Sequence, residues 1–191
     1  MNSIVMPDSR IDRVLHSSDE IAAAVTRLGQ DIARDYAGRD LVLVTALKGG
    51  AIFLADLCRA IDLPLTIDFM AVSSYGPGAI GSVRITKDLD DPIEGRDVLM
   101  VEDIIDTGLT LNYLLKSLRD RQPASLEVCV LFNKPAHRLL DIPLKYKGFD
   151  LPDRFVVGYG LDLRERYRNL PFIGLLSAEA LSNQDHLSEC P

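Results

Sequence analysis

The chain has 191 residues, 47% of them hydrophobic, which is enough for one domain with a packed core. It carries 21 basic and 28 acidic side chains, a formal net charge of -7, so no general electrostatic attraction to nucleic acid or anionic lipid is expected. It shows no signal peptide, no run of roughly 20 apolar residues and no CxxC pair among its three cysteines, and we therefore expect a cytoplasmic protein without a membrane span, disulfide framework or zinc site.

The first predicted elements are an amphipathic helix and a strand–turn–helix unit. Ser17 and Glu20 have the spacing of a capping box, and apolar residues then recur every three or four positions, at Ile21, Val25, Leu28 and Ile32. Residues 41–47 (LVLVTAL) are typical of a buried strand. The strand ends in Lys48-Gly49-Gly50, and a helix is predicted over 51–61.

Strands and helices alternate through the rest of the chain. Residues 73–82 (SSYGPGAIGS) are too rich in Gly, Ser and Pro to pack, so a mobile loop is expected there. Further strands are predicted at 65–72, 83–86, 97–101, 125–132, 154–157 and 172–176, and a helix from about 110 to 119. This alternation favours a mostly parallel α/β sheet with helices on both sides and ligand sites beyond the carboxyl ends of its strands. We predict a single domain with a polar tail over 182–191.

The segment that carries chemistry is residues 98–111 (VLMVEDIIDTGLTL), an apolar strand, two acids and a hydroxyl-rich turn that opens a helix. Backbone N–H groups at 107–110 and the positive end of the helix dipole would form a pocket for a phosphate monoester, and Gly108 would let the backbone approach the anion. Glu102 and Asp103 could accept hydrogen bonds from ribose hydroxyls or hold water bound to Mg²⁺. An isolated acid pair after a strand is often merely solvated, and it is the complete string that favours a ligand site.

This string closely resembles the phosphoribosyl pyrophosphate motif, and the similarity extends from about residue 40 to 176. Four further segments are similar to the hypoxanthine-guanine phosphoribosyltransferase family in its bacterial form: LKGG at 47–50, SSYG at 73–76, NKP at 133–135 and PDRFVVGYGLDLRERYRNLP at 152–171. The resemblance implies a type I phosphoribosyltransferase fold, α/β, with a mostly parallel sheet flanked by helices. It places the core at about 40–140 and a small hood in the N-terminal segment and about 141–176.

The same resemblance implies a reaction and an assembly. The 5-phosphoribosyl group of phosphoribosyl pyrophosphate would be transferred to a 6-oxopurine, hypoxanthine or guanine, to give IMP or GMP and pyrophosphate in purine salvage. Mg²⁺ would be the cofactor, and a homodimer or homotetramer is expected. The order of preference among hypoxanthine, guanine and xanthine stays open, because backbone groups would read the 2-position of the purine.

Roles for the sugar-phosphate side follow from the resemblance. It places the phosphoribosyl group among Glu102, Asp103, Thr107, Gly108, Leu109 and Thr110, and makes Asp106 the catalytic base near purine N7. Lys48 and Gly49 would follow an unusual peptide bond and bind pyrophosphate together with Arg168. Asp162 would join Glu102 and Asp103 around the metal. Arg164, Glu165 and Arg166, close to Asp162 and Arg168, could equally form a surface ion-pair cluster.

On the base side, the resemblance makes Lys134 the donor to the purine 6-oxo group, where adenine would instead present an amine. Phe155 would stack on the base, with Val156 offering backbone contacts; without the resemblance, Phe155 would be assigned to the core. Ser74 and Tyr75 would belong to a loop that closes over the reaction centre. The three histidines, His16, His137 and His186, match no motif and are expected at the surface.

Two other functions compete with this interpretation. A non-catalytic nucleic-acid-binding regulator could use the same loop as a sensor, but the acidic charge and the complete base pocket weigh against it. An adenine or pyrimidine phosphoribosyltransferase is the second alternative, and Lys134 in NKP with FVVGYGLD at 155–162 favours a 6-oxopurine instead.

Overall fold

Nine strands and three α-helices make up residues 10–75 and 82–177, the part of the chain that the computed structural model describes. Their bounds are β1 (Ile11–His16), α1 (Ser18–Asp35), β2 (Leu41–Leu47), α2 (Gly50–Ala60), β3 (Leu65–Tyr75), β4 (Ser82–Lys87), β5 (Asp97–Ile105), α3 (Leu109–Arg119), β6 (Ser125–Asn133), β7 (Tyr146–Asp150), β8 (Val156–Val157) and β9 (Ile173–Leu176). A short 3-10 helix spans Pro135–His137. None of the described helices is long and apolar enough to cross a membrane.

The central sheet has six strands in the order β4-β3-β2-β5-β6-β7. All neighbouring strands are parallel except β4, which runs antiparallel to β3. Side chains of successive strand residues point to opposite faces, and both faces are apolar. Leu41 and Leu43 pack with α1 and α2, whereas Val42 and Val44 pack with α3. The predicted mostly parallel sheet with helices on both faces is confirmed.

The capping box predicted for α1 is present. Ser17 Oγ accepts a hydrogen bond from the backbone N–H of Glu20 at 3.2 Å, and Glu20 Oε2 accepts one from the backbone N–H of Ser17 at 2.8 Å. The predicted apolar stripe of α1, including Ile21 and Ile32, lies in the core. The reciprocal bonds satisfy donors that a helix N-terminus otherwise leaves free, which fixes where α1 begins.

A second, three-stranded antiparallel sheet has the order β1-β9-β8 and joins the two ends of the described chain. It corresponds to the small hood, and Val156 and Ile173 pack into the same core as α1 and α2. The range expected for the hood was too wide, because β7 is an edge strand of the central sheet and pairs parallel with β6. Neither β1 nor β7 was predicted, since both mix charged with apolar residues and lack a clear period.

Two predicted strands are longer than expected. Strand β3 continues to Tyr75 and β4 begins at Ser82, because Ser73 and Ser74 extend the antiparallel ladder opposite Arg84 and Val83. Of the loop expected at 73–82, residues 73–75 and 82 therefore belong to strands. Residues 76–81 lie outside the described residues, as does the tail over 182–191. Strand β5 likewise runs on to Ile105 beside β6, so it includes both predicted site acids.

Candidate active site

The candidate site lies where β5 and β6 end side by side. Ile105 is the register partner of Asn133, and the backbone N–H of Lys134 donates to the carbonyl of Ile105 at 2.9 Å. Asp106 and Lys134 therefore leave the sheet next to each other. Two predicted motifs, the segment at 102–110 and NKP at 133–135, therefore meet at the carboxyl edge of the sheet, where parallel α/β folds place their ligand sites.

The turn from Asp106 into α3 has the backbone of an anion-binding loop. Gly108 is left-handed, with φ of 84°, and is the N-cap of α3. A side chain there would be strained, and its Cβ would lie 3.1 Å from Ile142 Cδ1. The first turn of α3 contains no acidic side chain, so no carboxylate of the helix itself neutralises the positive end of its dipole. Lys116 and Arg119 lie in the last turn, at the negative end.

A cleft of about 150 Å³ opens at this turn. Its lining comprises Glu102, Ile104, Ile105, Asp106, Thr107, Gly108, Thr110 and Leu111. The first amides of an α-helix have no acceptor within the helix, so those at the start of α3 can donate to an oxyanion in the cleft. The N–H of Leu109 meets only the hydroxyl of Thr107, at a long 3.4 Å. Of the residues predicted for the phosphoribosyl group, the cleft gathers all but Asp103 and Leu109.

Glu102 and Asp103 are shielded acids within β5. Burial raises the pKa of Glu102 well above its usual range, with the charge of Asp103 adding to the effect, and Glu102 Oε1 has no hydrogen-bond partner among the described residues. Asp103 is 9% exposed, and burial raises its pKa to about 6 although the N–H of Ile104 and the charge of Arg168 oppose the shift. The site thus holds two carboxyl groups that need a cation or donors from a ligand.

The Lys48-Gly49 turn packs directly on Asp103. The peptide bond between Leu47 and Lys48 is cis, as the resemblance implied, and Gly49 is the N-cap of α2. A Cβ on Gly49 would lie 1.9 Å from Asp103 Oδ2 and 3.2 Å from the carbonyl oxygen of Gly160. Only glycine fits, so the turn after β2, the acids of β5 and the loop after β8 are held in contact.

Both predicted pyrophosphate cations reach the same carboxylate. Lys48 Nζ lies 3.0 Å from Glu165 Oε2, and Arg168 Nη2 lies 3.3 Å from Glu165 Oε1. Hydrogen bonds from these two cations lower the pKa of Glu165. Sequence reasoning placed Glu165 only in a possible surface cluster. The exposure of Lys48 and Glu165, 68% and 61%, leaves this pairing open to exchange with another anion.

Asp162 is engaged with the loop that carries it. Its Oδ1 lies 2.8 Å from Arg168 Nη2, and its Oδ2 accepts a hydrogen bond from the backbone N–H of Glu165 at 2.8 Å. Arg168 also donates to the carbonyl oxygen of Gly160 at 2.7 Å. Asp162 therefore orients Arg168, and its role at a metal stays a prediction.

The base side combines a buried cation with an open aromatic ring. Lys134 is 9% exposed, and no hydrogen bond or ion pair joins its ammonium to another residue in the described ranges. Phe155 is 42% exposed, so its alternative assignment to the core is wrong. Val156 is buried and pairs with Leu175 of β9, which fixes the backbone beside the ring.

The expectation that the histidines lie at the surface is confirmed for His137, whose side chain is 42% exposed, and is wrong for His16, which is half-buried. His137 Nδ1 lies 2.8 Å from Asp106 Oδ1, and its Nε2 lies 2.5 Å from Asp153 Oδ1. His16 is stacked on Phe149 at 4.1 Å between ring centroids, and burial lowers its pKa. The position of His137 three residues after Lys134 was the available signal, but the 3-10 helix that turns it back to Asp106 was not predicted. His186 lies outside the described residues.

The closing-loop residues are described only by their backbone. Ser74 and Tyr75 are the last two residues of β3, opposite Val83 and Ser82 of β4. Their side chains, and the tip at 76–81, lie outside the described residues. Their role in closure therefore stays a prediction.

Within residues 10–75 and 82–177, no group of three or more His, Cys, Asp or Glu side chains is arranged to hold a metal ion. The acids present still fit Mg²⁺, a hard ion that commonly takes one or two carboxylates and completes its shell with water and substrate oxygens. Glu102 and Asp103 supply two such carboxylates, and Glu102 Oε1 is buried with no hydrogen-bond partner among the described residues.

Comparisons with known proteins identify the family of the chain. Residues 14–164 match the family described as phosphoribosyl transferase domain. A hypoxanthine-guanine phosphoribosyltransferase of Mycobacterium avium is 52% identical over 174 residues, 87% of this chain and 86% of that protein. Another, from Streptococcus thermophilus strain CNRZ 1066, is 46% identical over 176 residues, 91% of this chain and 98% of that protein. The crystal structure of a hypoxanthine phosphoribosyltransferase from Staphylococcus aureus aligns with a TM-score of 0.89 at 47% identity, covering 96% of this chain and all of that one.

Proposed function

Because this chain belongs to the phosphoribosyltransferase family, and within it to the hypoxanthine-guanine phosphoribosyltransferases, we propose which of its residues carry out the family's reaction. The chain is a pentosyltransferase of purine salvage. It moves the 5-phosphoribosyl group of phosphoribosyl pyrophosphate to hypoxanthine or guanine and releases pyrophosphate. The observation that carries the assignment of residues is the turn at the end of β5, with left-handed Gly108 opening α3 above the acids.

The 5′-phosphate binds at the start of α3. Amides at 107–110, with the hydroxyls of Thr107 and Thr110, donate to its oxygens, and the helix dipole favours its charge. Gly108 supplies the positive φ that turns the amides toward the cleft. The phosphate thereby holds the ribose above Glu102 and Asp103, whose carboxylates accept hydrogen bonds from the ribose hydroxyls.

Glu102 and Asp103 would also hold Mg²⁺, directly or through water, and Asp162 would contribute once its carboxylate is released from Arg168. When bound, the ion neutralises charge on the pyrophosphate. The protein's own cations act on the same group. Lys48 and Arg168, which meet at Glu165 in this structure, bind the pyrophosphate oxygens and stabilise the charge that develops as the bond to ribose C1 breaks.

The base is held by three contacts while its N9 replaces pyrophosphate at ribose C1. Phe155 stacks on the purine ring, and Lys134 donates to the 6-oxo group. The carboxylate of Asp106 accepts a hydrogen bond at N7 and assists proton movement on the base. Backbone groups at Val156 contact the purine edge. A 6-oxopurine satisfies the buried ammonium of Lys134, whereas adenine would place an amine against it.

Three further parts of the proposal concern closure, assembly and location. Ser74 and Tyr75 lie at the end of the β3–β4 hairpin, which would cover the reaction centre and exclude water. A homodimer or homotetramer is expected, as is a cytoplasmic location. Analytical ultracentrifugation tests the assembly.

A spectrophotometric assay tests the proposed function. Purified protein is given phosphoribosyl pyrophosphate with hypoxanthine, guanine, xanthine or adenine, with and without Mg²⁺. We expect turnover of hypoxanthine or guanine that needs Mg²⁺, and none of adenine. Turnover of adenine at the rate of hypoxanthine would contradict the base assignment. Lys134→Gln should lower kcat/KM for the 6-oxopurines by about 10- to 100-fold, because a hydrogen bond from a charged donor is lost.

A further inference from the structure

We propose that His137 is a positioning residue that holds the carboxylate of Asp106 in its working orientation by linking it to Asp153. The inference rests on the proposed base role of Asp106 and adds a residue to which no motif assigned a function. It is carried by the two contacts of one imidazole ring, with Asp106 at 2.8 Å and with Asp153 at 2.5 Å.

The ring bridges the two acids through different nitrogens. Nδ1 faces Asp106 Oδ1 and Nε2 faces Asp153 Oδ1, so both contacts are hydrogen bonds only when both nitrogens carry a proton. No other donor among the described residues is bonded to the Asp106 side chain. Its second oxygen, Oδ2, is therefore left for the base, while Oδ1 is tied down. Fixing one oxygen of a carboxylate selects the rotamer and reduces the freedom of a side chain that is 52% exposed.

The bridge also joins the parts of the site that must act together. His137 ends the 3-10 helix that begins directly after Lys134, and Asp153 lies two residues before Phe155. The histidine thus connects the proton-handling acid to the segments that donate to the purine and stack on it. A change in the position of Asp153 would be transmitted to Asp106 through a single ring.

Backbone bonds hold this segment without the histidine side chain. The N–H of Lys134 donates to Ile105, and the N–H of Leu139 donates to the carbonyl of Thr107 at 3.0 Å. His137 itself is 42% exposed. Replacing it should free the carboxylate of Asp106 without displacing the phosphate loop, so the proposal predicts a loss in turnover and not in sugar-phosphate binding.

The test measures kcat and KM of wild type, His137→Ala, His137→Gly and Asp153→Asn, with Leu139→Ala as a matched control. Leu139 is 67% exposed in the same segment. We expect His137→Ala to lower kcat about tenfold, with KM for phosphoribosyl pyrophosphate nearly unchanged, because a proton-handling group is misoriented. Added imidazole should restore part of the turnover of His137→Gly. Asp153→Asn should lower kcat less, and Leu139→Ala should not change it.

Asp106→Asn, alone and combined with His137→Ala, separates this inference from the proposed function. If the histidine acts through Asp106, His137→Ala should add no further loss in the Asp106→Asn background. Wild-type kcat in His137→Ala alongside a large loss in Asp106→Asn overturns the positioning role and leaves the base role intact. Equal losses from His137→Ala in both backgrounds overturn it as well. Wild-type turnover of Asp106→Asn removes the base role itself.

Discussion

The carboxyl end of β5 carries acids of two kinds, only a few residues apart. Glu102, which is half-buried, and Asp103, which is buried, lie within the strand, and burial raises the pKa of both. Asp106 lies in the following turn, 52% exposed and bonded to His137. Within the described residues the strand acids have no cation at bonding distance, whereas the turn acid has a partner on Oδ1 and lines the cleft.

In the proposed assignment, the length of one strand divides the work among three carboxyl groups. Because β5 stays paired with β6 as far as Ile105, the first two acids are held in the sheet and only the third reaches the turn. Shielded acids suit a site where a divalent ion and ribose hydroxyls replace water. An exposed acid with one oxygen held by His137 is oriented to accept a hydrogen bond from the base when the substrate binds.

The largest expected effect comes from the turn acid. Asp106→Asn removes the group that assists proton movement but keeps the shape of the side chain, so kcat should fall by about 10²- to 10⁴-fold while binding of phosphoribosyl pyrophosphate is kept. Steady-state kinetics and calorimetry measure the two quantities. Asp120→Asn, at the far end of α3, is the control acid. A loss of binding as large as the loss of turnover would mean that Asp106 binds the sugar or the metal, as proposed for Glu102 and Asp103, and does not act as a base.

Asp103→Asn should act on binding instead. An amide cannot supply the charge that a divalent ion requires, so the affinity for phosphoribosyl pyrophosphate with Mg²⁺ should fall by about 10- to 100-fold. Calorimetry with and without Mg²⁺ measures the effect. Without the metal, wild type and variant should differ little. An equal loss in the absence of Mg²⁺ would show that Asp103 serves the ribose alone.

The same variant should be more stable than wild type when no ligand is bound. Burial raises the pKa of Asp103 from 3.8 to about 6, so the folded chain holds this proton more tightly than the unfolded chain does. Its contribution to the free energy of unfolding therefore falls as pH rises from about 4 through about 6, and is level above that. Asp103→Asn should stabilise the protein by about 1–3 kcal/mol at about pH 8, and the gain should vanish near pH 4.

Urea unfolding of wild type and Asp103→Asn at the two pH values measures this difference, without Mg²⁺ or substrate. Titration of groups that do not interact with Asp103 is common to both chains and cancels. The charge of Asp103 also raises the pKa of Glu102, so its removal relieves Glu102 and acts in the same direction at the higher pH. A variant that is less stable than wild type at the higher pH would mean that the buried carboxylate is already satisfied by the protein.

The smallest effect is expected at an exposed acid. Glu165 occupies the two cations proposed for pyrophosphate, so Glu165→Gln should tighten the binding of pyrophosphate by about two- to fivefold, as for an exposed ion pair. Product inhibition measures it, and the gain should shrink at high salt. Unchanged inhibition would show that pyrophosphate does not replace Glu165 as the partner of Lys48 and Arg168.

Much of the frame was predictable from local pattern. Continuous apolar runs revealed β2, β5 and β6, and the Ser17–Glu20 spacing revealed the start of α1. Strands β1 and β7 were not predictable in the same way, because each mixes one buried residue with half-buried and exposed ones and so leaves no period. The strand β5 was predicted to end at Val101 but continues to Ile105. Acidic residues do not predict a strand by themselves, and Glu102 and Asp103 are held in β5 by its pairing with β6.

In the candidate site as well, local features were predictable and contacts between distant residues were not. The loop at 107–110 follows from its letters, because a left-handed glycine before a helix is a local feature. The contact of Glu165 with Lys48 and that of His137 with Asp106 join residues 117 and 31 positions apart. No local pattern reports such contacts, and they follow only from the folded positions of the elements that carry them.

A crystal structure with GMP bound tests the central assignment most directly. The phosphate oxygens should lie about 3 Å from the backbone nitrogens at 107–110, within hydrogen-bond distance, with the ribose above Glu102 and Asp103 and the guanine beside Lys134 and Phe155. A phosphate bound away from the start of α3 would contradict the assignment.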